Sequence, residues 1–258
     1  MIKYVNSRIV LFSVIMMLLP MVTPAQVIQI NSTNNSVDYK KLAMIDGLVN
    51  GYIDKNWLTG AVSIVIKDNM VVQYKGYGYA DADTKKPMRK DQIFRIMSQT
   101  KAITSAGVMI LYEQGKLLLD EPVSDFIPEF KSPVVLDKFN DADTTYTTVP
   151  AKREITFRDL LTHTSGLDYT DIGSSKVHAI YTKNHIPSGL GYFDASLLEK
   201  MKALGKLPLS FQPGEKWQYG LNTDLLGCLI EVISGITLDE FLKKNIFEPL
   251  GIDRKSVV

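Results

Sequence analysis

The chain has one cysteine and three histidines in 258 residues. A lone Cys228 cannot close an internal disulfide, so a cross-linked secreted scaffold is excluded. No spaced cysteine pairs and no His-Glu-x-x-His are present, so neither of these metal-site signatures is found. There is no phosphate-binding Gly-Lys-Ser/Thr loop and no Gly-x-Ser-x-Gly elbow. Internal repeats and low-complexity tracts are missing too. Charge of one sign is not in excess: the formal net charge is +1, which speaks against a nucleic-acid partner and against a basic membrane patch. What the chain does have is 45% hydrophobic residues, enough for a sizeable core. Nothing in it calls for a cofactor.

The first 25 residues read as a secretory signal peptide. Lys3 and Arg8 make a charged start, Ile9 to Val22 is apolar, and Thr23-Pro24-Ala25 ends in a small residue suited to cleavage. The apolar stretch is short for a transmembrane span, so no stable span is expected once it is removed. Removing it takes away two cations and turns the formal charge to −1. Export without disulfides fits a bacterial periplasm, or an extracellular location, and Cys228 in its apolar run reads as a small buried hydrophobe.

Residues 26–39 are polar and Asn/Ser-rich, a linker, and residues 40–258 read as one domain. Helical spacing runs from Asp38 to Asn56 through Leu42, Ile45, Leu48, Val49 and Ile53. Gly60–Lys67 and Met70–Gly76 are β-rich runs joined by Asp68-Asn69, a tight hairpin turn. Leu117–Phe130 is expected to be extended with short turns, and Val134–Val149 a surface hairpin. Ile155–Leu161 reads as a capped short helix entering a turn at Thr162–Leu167. Asp168–Gly191 reads as loop and Tyr192–Leu204 as helix. Leu221–Ile233 has helical spacing and stops at Gly235. Thr237 and Glu240 then form an expected capping box, with Ile236 and Phe241 as a hydrophobic staple and an end near Ile246.

The chemistry-bearing stretch is Ser98-Gln99-Thr100-Lys101, the only Ser-x-x-Lys in the chain. If Ser98 opens a helix, one turn places both side chains on the same face. The apolar run from Ala102 to Tyr112 then reads as a buried central helix, stopped by Gly115. Ser98 would lie at its positive end, which favours developing negative charge. A lysine can take the serine proton where burial or a neighbouring cation lowers its pKa. The plainer reading is an N-cap serine followed by a solvated lysine. A Ser-His-Asp triad also stays open, because triads are defined by geometry; His163 inside a tight turn is the nearest such histidine, with a structural role as its competing reading.

Five segments occur in order: Pro87-Met88-Arg89-Lys90-Asp91, Phe94-Arg95-Ile96, Ser98-Gln99-Thr100-Lys101, Leu160 to Leu167, and Pro213-Gly214-Glu215-Lys216-Trp217-Gln218-Tyr219. Together they resemble the serine β-lactamase-related family, the group of class C β-lactamases, D-Ala-D-Ala carboxypeptidases and family VIII carboxylesterases. The resemblance implies an α/β (α+β) fold of the β-lactamase/transpeptidase type, an antiparallel sheet flanked by a helical region. It implies Ser98 as the acylated nucleophile, Lys101 as base or proton relay, and Tyr219 as the tyrosine of the second motif. A tyrosine beside a lysine ammonium has its pKa lowered, and the two can share a proton.

Two departures shape the expectation. Many relatives carry Tyr-Ser-Asn where this chain has Tyr219-Gly220-Leu221-Asn222, and Leu221 offers no amide. The pattern resembles the esterase-like branch and leans away from β-lactams toward esters or other acyl substrates. The resemblance also implies further sheet strands with a third motif, which are missing by Val258, so the chain reads as the N-terminal part of a family member. The expected function is an exported serine hydrolase acting on ester, amide or β-lactam bonds through an acyl-enzyme at Ser98, with a small-molecule or peptidoglycan-type substrate. The rival expectation is a catalytically incompetent fragment or a non-catalytic cell-wall-binding module.

Overall fold

The structure is a computed structural model, and it describes residues 35–188 and 195–252. The expected signal peptide, most of the expected linker, the start of the helix expected from Tyr192 and the last six residues lie outside the described residues. The chain divides into two compact units between Ile93 and Phe94. Among the described residues no helix is long and apolar enough to cross a membrane.

The first unit carries α1 (Tyr39–Leu42), α2 (Met44–Asp54), β1 (Gly60–Lys67), β2 (Met70–Asp81) and β3 (Lys86–Pro87). The single expected helix is thus broken at Ala43. The strands form an antiparallel sheet in the order β1-β2-β3. Asp68 and Asn69 sit at φ 51° and 58°. Two consecutive positive φ values are what a two-residue turn of the right twist requires, and Asp and Asn tolerate them. Among the described residues β1 is an edge strand, and Ile64 and Ile66 on it are about half exposed.

The second unit holds the core. A 3₁₀ turn, Met97–Gln99, leads into α3 (Thr100–Glu113). After two more 3₁₀ turns come the β4 (Val134–Phe139) and β5 (Tyr146–Pro150) hairpin, then α4 (Phe157–Leu161), α5 (Ser175–Lys183), α6 (Leu197–Gly205), α7 (Asn222–Ser234) and α8 (Leu238–Leu242). α3 is not apolar all round as the sequence implied. It buries one face, with Thr104, Gly107, Val108 and Leu111, and leaves Met109 and Tyr112 partly exposed. That face packs on α7, whose Leu225, Leu226, Leu229 and Ile230 are fully buried. Gly107 permits the approach: a Cβ there would lie 3.1 Å from Ile230 Cδ1 and 3.2 Å from Leu242 Cδ2. Cys228 is buried as expected, and burial pushes its thiol pKa up to about 12.

Two expectations need correction. The stretch read as loop contains α5, held by Val177, Ile180 and Tyr181 at helical spacing. The capping box at Thr237 does not form: the Thr237 side chain accepts no cap hydrogen bond, and the Leu238 N–H goes instead to Glu231 Oε1 of α7 at 2.9 Å. α8 continues through a π-helical turn, Lys243–Phe247.

α4 does have a capping box, Thr156 with Asp159. Asp159 is buried and takes both Arg153 guanidinium nitrogens, at 2.5 and 2.8 Å. Burial works against its charge, but Arg153 and Thr156 outweigh that and hold its pKa below the usual value. Its stabilising contribution is therefore full above the unfolded carboxyl pKa and is lost as pH falls through the folded one. Asp159→Asn should cost about 2–3 kcal/mol near neutral pH, at the low end for a broken pair because Arg153 is half exposed. Urea unfolding should show the wild-type advantage shrinking in acid; an advantage independent of pH would contradict the ion pair.

Candidate active site

Ser98 sits in the 3₁₀ turn just before α3, behind Met97 at φ 49°. A left-handed methionine is unusual and places local strain directly before the serine. Lys101, one turn on, lines the same cleft as Ser98, as the spacing predicts. Tyr219, 121 residues away in sequence, closes the group: its hydroxyl lies 2.6 Å from Ser98 Oγ. Lys101 Nζ stands 4.7 Å from the centre of the Tyr219 ring. The three residues singled out by the sequence thus converge on one cleft.

The cleft sets the protonation states. Burial disfavours the Lys101 charge, but hydrogen bonding and charge interaction with Tyr219 and Tyr169 prevail and raise its pKa. The two phenols thus favour the charged form of Lys101 over the neutral amine. Burial likewise opposes a Tyr219 phenolate, yet Lys101 and Ser98 outweigh it and lower the Tyr219 pKa. The Lys101 charge is what makes this phenol more acidic than an ordinary one. Tyr169, pushed up mainly by its burial, stays protonated.

Tyr169 is the site residue that the sequence reading missed. Its hydroxyl interacts with Lys101, and Lys101 Nζ lies 5.7 Å from its ring centre. No spacing rule marks it; the only clue is its place just after Gly166-Leu167. Asp168, fully buried, fixes both tyrosines. Its Oδ1 accepts the Tyr169 N–H at 2.9 Å and Gln218 Nε2 at 3.3 Å. Its Oδ2 accepts the Ser174 N–H and the Ser210 hydroxyl. Its carbonyl receives the Leu221 N–H.

His163 is not the serine's partner. It stacks on Tyr219 with ring centres 5.3 Å apart, and Trp217 flanks the pair. The buried Ser165 hydroxyl donates to Asn222 Oδ1 at 2.5 Å, which leaves the Asn222 amide to donate to His163 Nδ1 at 3.0 Å. Burial, then the Lys101 charge, lower the His163 pKa, so the ring is neutral. Asn222 is spent on this support and Leu221 is fully buried, so neither takes the place of the Tyr-Ser-Asn amide. Among the described residues no group of three or more His, Cys, Asp and Glu is placed to hold a metal ion.

The arrangement can deprotonate a serine hydroxyl beside a fixed cation, which is acyl-transfer chemistry. A family model described as Beta-lactamase matches residues 45–256. Esterase EstB of Burkholderia gladioli is 33% identical over 224 residues, 86% of this chain and 53% of that protein. The solved structure of EstCE1, a hydrolase with promiscuous acyltransferase activity, has 30% identity and a TM-score of 0.70, covering 82% of this chain and 52% of that one. Unliganded simvastatin synthase (LovD) from Aspergillus terreus, a selenomethionyl derivative, has 27% identity and a TM-score of 0.65, covering 82% and 52%. The chain spans about half the length of these relatives.

Proposed function

This chain belongs to the Beta-lactamase family and has its α/β fold, an antiparallel sheet with helices, and from that premise we propose that it is an exported serine hydrolase forming an acyl-enzyme at Ser98. The observation that carries the reading is the 2.6 Å contact of Ser98 Oγ with a phenol made acidic by Lys101. Tyr219, as phenolate, takes the Ser98 proton while Oγ bonds to the substrate carbonyl carbon. The C–O bond to the leaving alcohol then breaks, and Tyr219 returns the proton to that alcohol. Water completes the cycle: Tyr219 takes its proton, hydroxide adds to the acyl carbon, and Ser98 leaves reprotonated. The Ser98 backbone N–H, at the positive end of α3, serves as one oxyanion donor.

Esters are the favoured substrates. The relatives named as esterases carry that choice, and so does a second motif whose Leu221 and Asn222 are both turned to internal packing. A small-molecule ester or a peptidoglycan-type acyl donor suits an exported enzyme, and export itself rests on the charged and apolar start of the chain. The test is covalent. A fluorescent acylating probe, followed by intact-mass measurement and peptide mapping, should give one adduct, on Ser98. Folded protein that takes up no probe and turns over no nitrophenyl ester would instead support the non-catalytic, cell-wall-binding reading.

A further inference from the structure

The cleft at Ser98 continues past the reacting groups. It holds about 390 Å³, more than an ester group alone fills and within the range of pockets that take whole small molecules. Its walls give it a direction. Ser98, Lys101 and Thr104 line it from successive turns leading into α3, and Asp224 and Gly227 line it from successive turns of α7. Thr104 lies six residues beyond Ser98, about 9 Å along a helix axis. Three residues further along each helix the space is closed: a Cβ on Gly107 would lie 3.1 Å from Ile230 Cδ1 and 3.2 Å from Leu242 Cδ2. The cleft is thus a blind groove between two helices, running from Ser98 and Tyr219 to Gly227.

The groove is mainly apolar at both ends. Met97 and Ile172, each about half exposed, line it where it meets solvent. Leu197 and Leu238, at the first turns of α6 and α8, line it beside Gly227. Gly227 keeps that end empty: a Cβ there would come within 3.0 Å of Leu238 Cδ2 and 4.0 Å of Leu197 Cδ2. The two charged groups of the lining are already engaged. Lys101 interacts with two phenols, and Asp224 with its own backbone N–H and the Lys101 charge. Thr104 gives its hydroxyl to the Thr100 carbonyl at 3.1 Å. A ligand lying along the groove therefore meets chiefly hydrocarbon, and each methylene placed there leaves water together with the wall it covers.

We propose that this groove receives an apolar chain of the substrate ester, and that Gly227 sets the length of that chain against the floor made by Leu197 and Leu238. The proposal rests on the acyl-enzyme reading of Ser98 and names the substrate class that this site takes, esters with a straight alkyl group. The acyl side and the alcohol side of the ester share this chemistry, and the experiment separates them.

Three arms are run on the full chain. In the first, kcat/KM is measured for nitrophenyl esters of straight-chain acids from acetate to decanoate. In the second, it is measured for acetate esters of straight-chain alcohols over the same lengths. In the third, Ser98→Ala protein is titrated by NMR with straight-chain methyl esters and with alkyl acetates, so that binding needs no acylation. At least one series should rise by up to about fourfold with each methylene until the groove is full, the gain for burying a methylene. The series that rises says which side of the ester occupies the groove. Gly227→Leu should lower the ratio of the best ester to the acetate at least tenfold and move the optimum to shorter chains. Leu238→Ala should move it to longer ones. Should Gly227→Leu fail to fold, Gly227→Ala, whose Cβ meets only the rotatable ends of Leu238 and Leu197, carries the comparison with Leu238→Ala. No dependence on length in any arm, or an optimum that neither substitution moves, overturns the proposal. Length-dependent binding by Ser98→Ala with no Ser98 adduct in wild type would keep the groove and defeat the acyl-enzyme. An adduct with no dependence on length would do the reverse.

Discussion

Tyr219→Phe is expected to slow acylation of Ser98 by roughly a hundred- to ten-thousandfold, the range for removing a positioned general base. The substitution deletes one oxygen and leaves the ring. The stacking on His163, the contact with Tyr169 and the neighbouring Trp217 can persist, so the cleft keeps its shape. KM should therefore move little while kcat falls, the pattern of an interaction made at the proton-transfer step. The pH profile tests the same point independently. The reactive form has Tyr219 deprotonated and Lys101 charged. The Tyr219 pKa lies below the ordinary phenol value of 10.0, so the rising limb should fall below it. The Lys101 pKa lies above the ordinary lysine value of 10.5, so the declining limb should come later than for a free lysine. Lys101→Met removes the charge that acidifies the phenol and should push the rising limb upward. Labelling rates measured across neutral and alkaline pH would show both effects. A Tyr219→Phe enzyme within about threefold of wild type would remove the phenol from the mechanism, since general-base loss is far larger than that.

How much of this could be read without coordinates depended on how local each feature is. Asp68-Asn69 specifies its hairpin with two residues that tolerate positive φ, and the structure has the turn. Ser98 and Lys101 are one helical turn apart, so their shared cleft follows from helix geometry. Tyr219 entered only through the order of motifs along the chain, since nothing local ties it to Ser98. Tyr169 escaped notice because its place depends on Asp168 gathering Tyr169, Ser174, Ser210 and Gln218 around one buried carboxylate. Such a knot leaves no periodic trace. The same holds for the helix start at Thr237: the capping-box pattern is in the sequence, but the carboxylate that meets this helix end comes from the preceding helix, Glu231 accepting the Leu238 N–H. The direction of the lysine's pKa shift is also a tertiary matter: burial lowers it, and two phenols from distant segments raise it.

Gly220→Ser, which would bring the second motif closer to the Tyr-Ser-Asn of many relatives, is expected to destabilise the protein by about 3 kcal/mol or more, above the usual range for overpacking. A Cβ on residue 220 would lie 2.2 Å from the Leu167 carbonyl oxygen, 2.8 Å from its carbon and 3.0 Å from Asp168 Cα. All three are backbone atoms, so no side chain can rotate to relieve the contact. The segments would have to separate, which strains the Leu221 N–H to Asp168 carbonyl hydrogen bond and the Gln218 link to the Asp168 carboxylate. Both flank Tyr219, so the phenol would leave Ser98 as the stability fell. Urea unfolding and probe labelling of the variant should therefore decline together. The glycine is thus part of how this chain seats its phenol, and the shift away from the relatives' motif cannot be reversed one residue at a time. A Gly220→Ser protein within about 1 kcal/mol of wild type, with labelling intact, would show that the close approach of residues 167 and 220 is not what holds Tyr219 in place, because a Cβ forced against backbone must cost more than an ordinary surface change.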